Sequence, residues 1–367
     1  MDYREQKPSL CVRHLTSRLK IGQGVCKVVD DLSFDLWPGK TLALVGESGS
    51  GKTMTALSIM RILPQTVGLP SEGEVWYAGK NILTLSEKEM RCLRGGKLAM
   101  IFQDPTTSLN PVYTIESQLS EVVELHLGLF GEAARLKVIK ALADVGIYSP
   151  EEHLNAYPHQ LSGGMKQRIM IAMALLCEPD ILIADEPTTA LDVTIQAQVL
   201  ELMRELQVRK QMALLLITHD LGVVAEMADE VIVMYATQAV ECGPVLPIFD
   251  QMSHPYTQGL FKSRPTQYSP GQLLTPIKGN VPTLTHLPSG CRFHTRCPYV
   301  MPICKKGEVP DFPMGALPHS PEGLSLEMAP GTAPHHTRCW LYDGREESLQ
   351  KLYQKAQDAT AITRTPA

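Results

Sequence analysis

The sequence predicts an α/β protein built on a mostly parallel sheet, with a loop-rich region appended at its C-terminal end. Three observations carry this prediction. A glycine-rich turn, Gly46 to Thr53, sits between the apolar run Leu42 to Val45 and the helix-compatible segment Met54 to Leu63. From 161 to 235, apolar strands such as Ile181 to Ala184 and Ala213 to Thr218 alternate with helical segments, one of them with Ile195, Val199, Leu202, Met203 and Leu206 on a single side. That alternation is how a parallel sheet covered by helices reads in sequence. From Pro265 to Pro334 prolines recur too densely for any long helix, which marks the appendage.

Taken in order, residues 9 to 45 read as short strands, including Val28-Val29 and the alternating Leu32 to Leu36, with Pro38-Gly39 as a turn. From about 103 to 160 the period becomes helical: Ile115, Leu119, Val122 and Val123 share one face, as do Ile139, Leu142 and Val145. The expected division is a first domain over 1–262 with a helical subdomain at about 103–160, a cysteine-bearing region over 263–345, and a tail over 346–367. With 367 residues and 44% hydrophobic content the chain has material for a sizeable core.

The net charge of −5 supplies no overall basic field, so a nucleic-acid partner is not expected. The longest apolar run, Ile169 to Cys177, has nine residues, well short of the roughly 18 to 20 that span a bilayer. No transmembrane segment of its own is therefore expected. Met1-Asp2-Tyr3-Arg4-Glu5 lacks the apolar core of a signal peptide, which leads us to expect a cytosolic chain with reduced thiols.

Gly46-Glu47-Ser48-Gly49-Ser50-Gly51-Lys52-Thr53 has the pattern of a phosphate cradle. Glycines at Gly46, Gly49 and Gly51 let the backbone curl with its N–H groups inward, Lys52 can reach the β- and γ-phosphates, and the Thr53 hydroxyl can ligate Mg²⁺. The following helix adds its positive end. A second element, Ile181 to Glu186, is an apolar strand ending in two carboxylates. Asp185 there suits Mg²⁺, and Glu186 suits polarisation of an attacking water. Between them stands Leu161-Ser162-Gly163-Gly164-Met165-Lys166-Gln167-Arg168, in which Ser162, Gly163 and Gly164 open a helix and can offer a hydroxyl and N–H groups to a phosphate.

With these strings in hand, the chain resembles the ATP-binding subunits of ABC transporters, whose signature motif has the form of Leu161 to Arg168. The resemblance implies a P-loop NTPase cassette that hydrolyses ATP with Mg²⁺, its signature facing the phosphate loop of a second homologous ATPase subunit. It also implies roles for residues that match further motifs: Gln103 resembles the glutamine that contacts Mg²⁺, Thr189 to Asp192 resembles the loop crossing the dimer interface, and His219 resembles the switch histidine at the γ-phosphate. The aromatic that the family stacks on adenine has no counterpart between Tyr3 and Phe34; Leu19 or Cys26 stands near that place.

Phe102 to Pro111, Tyr157-Pro158-His159-Gln160, Asp192 to Gln198 and His254-Pro255-Tyr256-Thr257 narrow the resemblance to bacterial importers of dipeptides and oligopeptides. Nickel importers share much of this, and a soluble, non-transport ABC ATPase is the other alternative. The importer resemblance implies two transmembrane permease subunits, a periplasmic peptide-binding protein and a location on the cytoplasmic face of the inner membrane. Cys291, Cys297, Cys304 and Cys339 have five, six and thirty-four residues between them. Four clustered thiols in a cytosolic chain read as a metal site, an iron–sulfur cluster or zinc, with unligated thiols as the third reading. Similarity to peptide-importer subunits that carry a 4Fe-4S cluster on these cysteines favours the cluster, with zinc as the alternative.

Overall fold

The computed structural model of the chain describes residues 7–104, 108–188, 193–263, 276–314 and 334–363. The chain opens on a long antiparallel hairpin, β1 (Leu10–Ile21) and β2 (Gly24–Leu36), where short strands were expected. The inward residues Leu10, Val12, Leu15, Val29, Leu32 and Leu36 are buried, and this apolar face carries the strands through register shifts that interrupt the alternation. A fully buried strand, β3 (Thr41–Val45), then runs into the glycine-rich turn and α1 (Lys52–Ile59). Next come β4 (Glu72–Tyr77), β5 (Lys80–Asn81), α2 (Glu87–Leu93), opened by a capping box of Ser86 and Glu89, and β6 (Leu98–Ile101). Strands β2, β1, β4 and β5, in that order, make a four-stranded antiparallel sheet.

The helical insert comprises α3 (Ile115–Leu127), α4 (Glu132–Asp144) and the single turn α5 (Pro150–His153). Thr114 caps α3 by accepting the Ser117 N–H, and Gly128 ends it in the left-handed region. Its buried stripe is Ile115, Leu119 and Val123; that of α4 is Ala134, Val138 and Leu142. Both stripes join one core with Leu182 and Ala184 of the next strand, so the insert is packed onto the sheet and shares its interior.

After the insert, α6 (Gly163–Leu175) leads to β7 (Ile181–Asp185), α7 (Val193–Lys210), β8 (Ala213–Ile217), α8 (Leu221–Met227), β9 (Glu230–Tyr235) and β10 (Gln238–Pro244). Strands β9, β3, β8, β7 and β6 pair in parallel, and all residues of β3, β7 and β8 are buried, as a sheet covered on both faces requires. This parallel core is extended by antiparallel strands: β10 on β9, and beyond it β11 (Phe312–Pro313) and β12 (His336–Thr337). The full order is β11-β12-β10-β9-β3-β8-β7-β6, a mixed sheet.

Helices α9 (Val245–Asp250) and α10 (Pro255–Lys262) follow β10, and the chain closes on α11 (Glu346–Thr363). This last helix lies in the segment 346–367, expected as a tail. The eighteen-residue helix there follows from composition: no proline falls between Pro334 and Pro366, and Ser348, Leu352 and Lys355 turn their side chains inward at helical spacing.

Candidate functional site

The glycine-rich turn is held by close contacts that leave no room for a side chain. Gly46 has φ +152, and a Cβ there would lie 2.2 Å from the Met234 carbonyl oxygen; at Gly51, φ +103, it would lie 2.5 Å from that of Val28. Gly51 is also the N-cap of α1, so the helix starts at Lys52 with its first N–H groups turned to the loop. The turn lines a cavity of about 180 Å³ together with Val28, Gln103, Glu186 and Leu284. A larger cavity, about 220 Å³, lies between α4, α6 and α7 among Lys137, Glu178 and Lys210, and none of the phosphate-loop residues lines it.

Lys52 donates to the carbonyls of Gly46 at 2.8 Å and Glu47 at 3.2 Å. Burial lowers its pKa, against the opposing pull of Glu186, Asp185 and Glu47. The Thr53 hydroxyl donates to Asp185 Oδ1 at 3.2 Å. Asp185, at the end of β7, is only 2% exposed, and burial raises its pKa, with the Thr53 bond working the other way. Glu186 follows in the left-handed region, φ +46, with its N–H on the Ile217 carbonyl at 2.9 Å. Its carboxylate is held from two sides: Gln103 Nε2 donates to Oε2 at 2.9 Å, and His219 Nδ1 lies 3.2 Å from Oε1. Six residues expected at the site, Lys52, Thr53, Gln103, Asp185, Glu186 and His219, thus converge from four separate segments. Two buried ionisable groups and a carboxylate held at both oxygens form a polar pocket with the charge pattern a magnesium polyphosphate would complement.

The signature residues lie elsewhere. Ser162 caps α6 by accepting the Met165 N–H at 3.3 Å, and Ser162 and Gly163 are exposed and take no part in the phosphate cavity of their own chain. Asp192 and the rest of Thr189 to Asp192 lie outside the described residues.

Some contributors to the site are not among the residues the sequence places there. The Tyr256 hydroxyl accepts the Glu47 N–H at 2.8 Å, Arg296 holds the Glu47 carboxylate with two bonds, and Leu284 forms part of the cavity wall. The first two act across more than 200 residues of chain, and only the fold brings them in.

The four late cysteines meet in one packed cluster with Tyr299, Met301 and Leu341. All nine cysteines are free thiols. Burial pushes Cys291 up to about 11 and Cys297 up to about 12, and raises Cys304 and Cys339 as well, with neighbouring cysteines adding to the rise at Cys291, Cys297 and Cys339. Among the described residues no group of three or more His, Cys, Asp or Glu side chains is gathered in metal-holding geometry. The donor chemistry, four sulfurs in an apolar surround, suits a soft metal.

A family model described as "ABC transporter" matches residues 29–189, and one described as "Oligopeptide/dipeptide transporter, C-terminal region" matches 240–304. The chain is 47% identical over 342 residues, 92% of its length and 96% of the relative's, to the dipeptide transport ATP-binding protein DppD of Bacillus subtilis. This chain belongs to the ABC transporter ATPases. It is also 47% identical to the oligopeptide transport ATP-binding protein OppD of the same organism, over 88% of this chain and 90% of that one. Among solved structures, the dimeric ATP-binding cassette MJ0796 with ADP and Pi matches at a TM-score of 0.57 and 25% identity, covering 64% of this chain and 98% of the cassette. The cbiO1 subunit of the cbiONQ complex from Clostridium perfringens matches at 0.57 and 26%, covering 67% and 92%. As an ABC ATPase the chain hydrolyses ATP, and no helix among the described residues is long and apolar enough to cross a membrane.

Proposed function

We propose that this ABC ATPase energises the import of dipeptides and oligopeptides across the bacterial inner membrane. It works peripherally on the cytoplasmic face, paired with a second homologous ATPase subunit and docked on two permeases that a periplasmic peptide-binding protein supplies. One observation carries the catalytic part: Glu186, gripped by Gln103 and His219 beside Lys52, Thr53 and Asp185. In this reading Lys52 and the N–H groups of Gly46 to Thr53, Ser48 and Ser50 among them, offset phosphate charge, while Thr53, Gln103 and Asp185 take Mg²⁺. Glu186 orients the attacking water and His219 meets the γ-phosphate. Ser162, Gly163, Gly164 and Asp192 serve the partner's nucleotide; the exposure of Ser162 and Gly163 supports this.

The peptide substrate rests on the relatives, whose names specify dipeptide and oligopeptide transport, and on the matched C-terminal region. Co-reconstitution of the chain with its permeases and partner in vesicles tests it. ATP-dependent uptake of a labelled dipeptide is expected; accumulation of nickel without peptide uptake would replace this substrate class by the metal.

Cys291, Cys297, Cys304 and Cys339 are proposed to hold a 4Fe-4S cluster, with zinc as the alternative, on the strength of their shared packing and soft donors. The bound group would cross-link segments 291–304 and 339, which the fold already packs together. Iron and acid-labile sulfide in equal amounts in anaerobically purified protein are expected, and stoichiometric zinc without iron would decide for the alternative.

A further inference from the structure

The turn between Cys291 and Cys297 carries two arginines, and both leave the cysteine-bearing region to grip the cassette. Arg292 donates to Thr237 and to Asp30, beside the carbonyl of Ala236. Thr237 in turn donates its N–H to the Ser50 carbonyl at 2.9 Å, inside the phosphate loop. Arg296 is the more exacting contact. Its side chain is 4% exposed, and all five of its N–H groups are used. Nη1 meets Glu47 Oε2 at 2.7 Å and the Tyr235 hydroxyl at 3.3 Å; Nη2 meets Glu47 Oε1 at 3.1 Å and the Ile277 carbonyl at 3.4 Å; Nε donates to the Lys278 carbonyl at 3.1 Å. The guanidinium also lies over the rings of Tyr235 and Phe293, 5.7 and 5.9 Å from their centroids.

Glu47 is the second residue of the phosphate loop, and it is an awkward one. A bare carboxylate at the head of an anion site opposes the binding of a polyphosphate, and the interaction is strong where burial thins the solvent. The fork of Arg296 both cancels that charge and, with the Tyr256 hydroxyl on the Glu47 N–H, fixes the first turn of the loop.

We propose that Arg296 is a positioning residue for nucleotide binding: by neutralising and orienting Glu47 it makes the affinity of the phosphate loop depend on the cysteine-bearing turn that carries it. The inference rests on the reading of Gly46 to Thr53 as the nucleotide-phosphate loop, and the experiment separates the two.

MgATP affinity is titrated on the full-length chain with a fluorescent ATP analogue. Lys52→Ala tests the loop itself and is expected to abolish binding; unchanged binding there would overturn the loop reading and this inference with it. Arg296→Gln is expected to weaken binding about tenfold, since it leaves Glu47 uncompensated. Glu47→Gln in the Arg296→Gln background is expected to recover most of that loss, because the repelling charge is gone. General damage to the fold would not be reversed by a second substitution. Parental affinity in Arg296→Gln, or a double variant as weak as the single one, would overturn the inference while leaving the loop reading standing. If Arg296→Gln does not fold, Arg296→Lys carries the same test: it keeps the cation and loses the fork, with a two- to fivefold loss expected, and parental affinity there counts against the proposal.

Discussion

The phosphate site and the thiol cluster each gather side chains from distant parts of the chain, but by opposite means. At the phosphate site polar groups are held at hydrogen-bond distance around an open cavity, and glycines such as Gly46 exist because a side chain would strike backbone. Around the cysteines the surround is apolar, and the four side chains pack among Tyr299, Met301 and Leu341, Cys304 and Cys339 buried and Cys291 and Cys297 half-buried. The first arrangement is specified by directed bonds and the second by packing. Substitutions should therefore cut function at the first site and stability near the second.

The largest effect expected from this contrast is at Glu186. Glu186→Gln keeps the shape and one polar contact with Gln103 or His219, so ATP binding is retained, while hydrolysis in the assembled transporter falls on the order of 10³-fold. Steady-state phosphate release measures it; normal turnover would remove Glu186 from its role. Next comes the seam beneath the cysteine turn, where His254 is buried against Phe293 and its Nδ1 accepts the Tyr256 N–H. Burial pushes His254 down to about 4, with Glu241 pulling the other way, against about 6.5 in an unfolded chain. Between those values the unfolded chain binds a proton that the folded one refuses. The stability contribution is therefore present above the unfolded value and lost as pH falls through the window, by about 3 kcal/mol. His254→Asn retains a capping acceptor and should flatten that loss in urea titrations run from pH 7 to 4; an unchanged slope would show that other groups set it.

Smaller still is Gly46→Ala, which must relieve a 2.2 Å contact with the Met234 carbonyl oxygen. The strain of about 1–3 kcal/mol should appear as a loss of MgATP affinity of roughly ten- to hundredfold. If thermal stability falls and affinity does not, the glycine serves the sheet and not the ligand. The smallest effect is expected at Leu284, where the cysteine-bearing region contributes one apolar wall to the cavity. Leu284→Ser should weaken nucleotide binding about two- to threefold, in line with the loss of a partly buried aliphatic contact. Competition between ATP and GTP measured on the same variant shows whether that wall touches the base.

Much of the cassette is legible in one dimension because its chemistry is local. The phosphate loop needs glycines at fixed offsets before a helix, and the carboxylates Asp185 and Glu186 must end an apolar strand, so Lys52, Thr53, Asp185 and Glu186 announce themselves by spacing. Gln103 and His219 needed the family resemblance, and the structure joins both to one carboxylate. What could not be read was long-range. Arg296 and Glu47 are 249 residues apart, and neither residue type is unusual where it stands. Strand lengths were also underestimated, because the register shifts in β1 break its alternation just where a periodicity argument looks for it. The short strands β11 and β12 carry two residues each, too few for any pattern, and are placed by pairing, β12 on β10 and β11 on β12.

That last pairing has a consequence for how the protein can be cut. β12 satisfies β10 through Glu241 and Cys242, and nearby the His335 ring bonds to the buried Glu241 carboxylate at 2.8 Å. A chain ended at 262 would strip both away at once, leaving a bare strand edge and a buried Glu241 carboxylate held by the N–H groups of Ser253 and His254 without its His335 partner. Such a fragment should recruit other copies of itself along that edge, so the nucleotide-binding half cannot be borrowed as a free-standing module without a strand to close it.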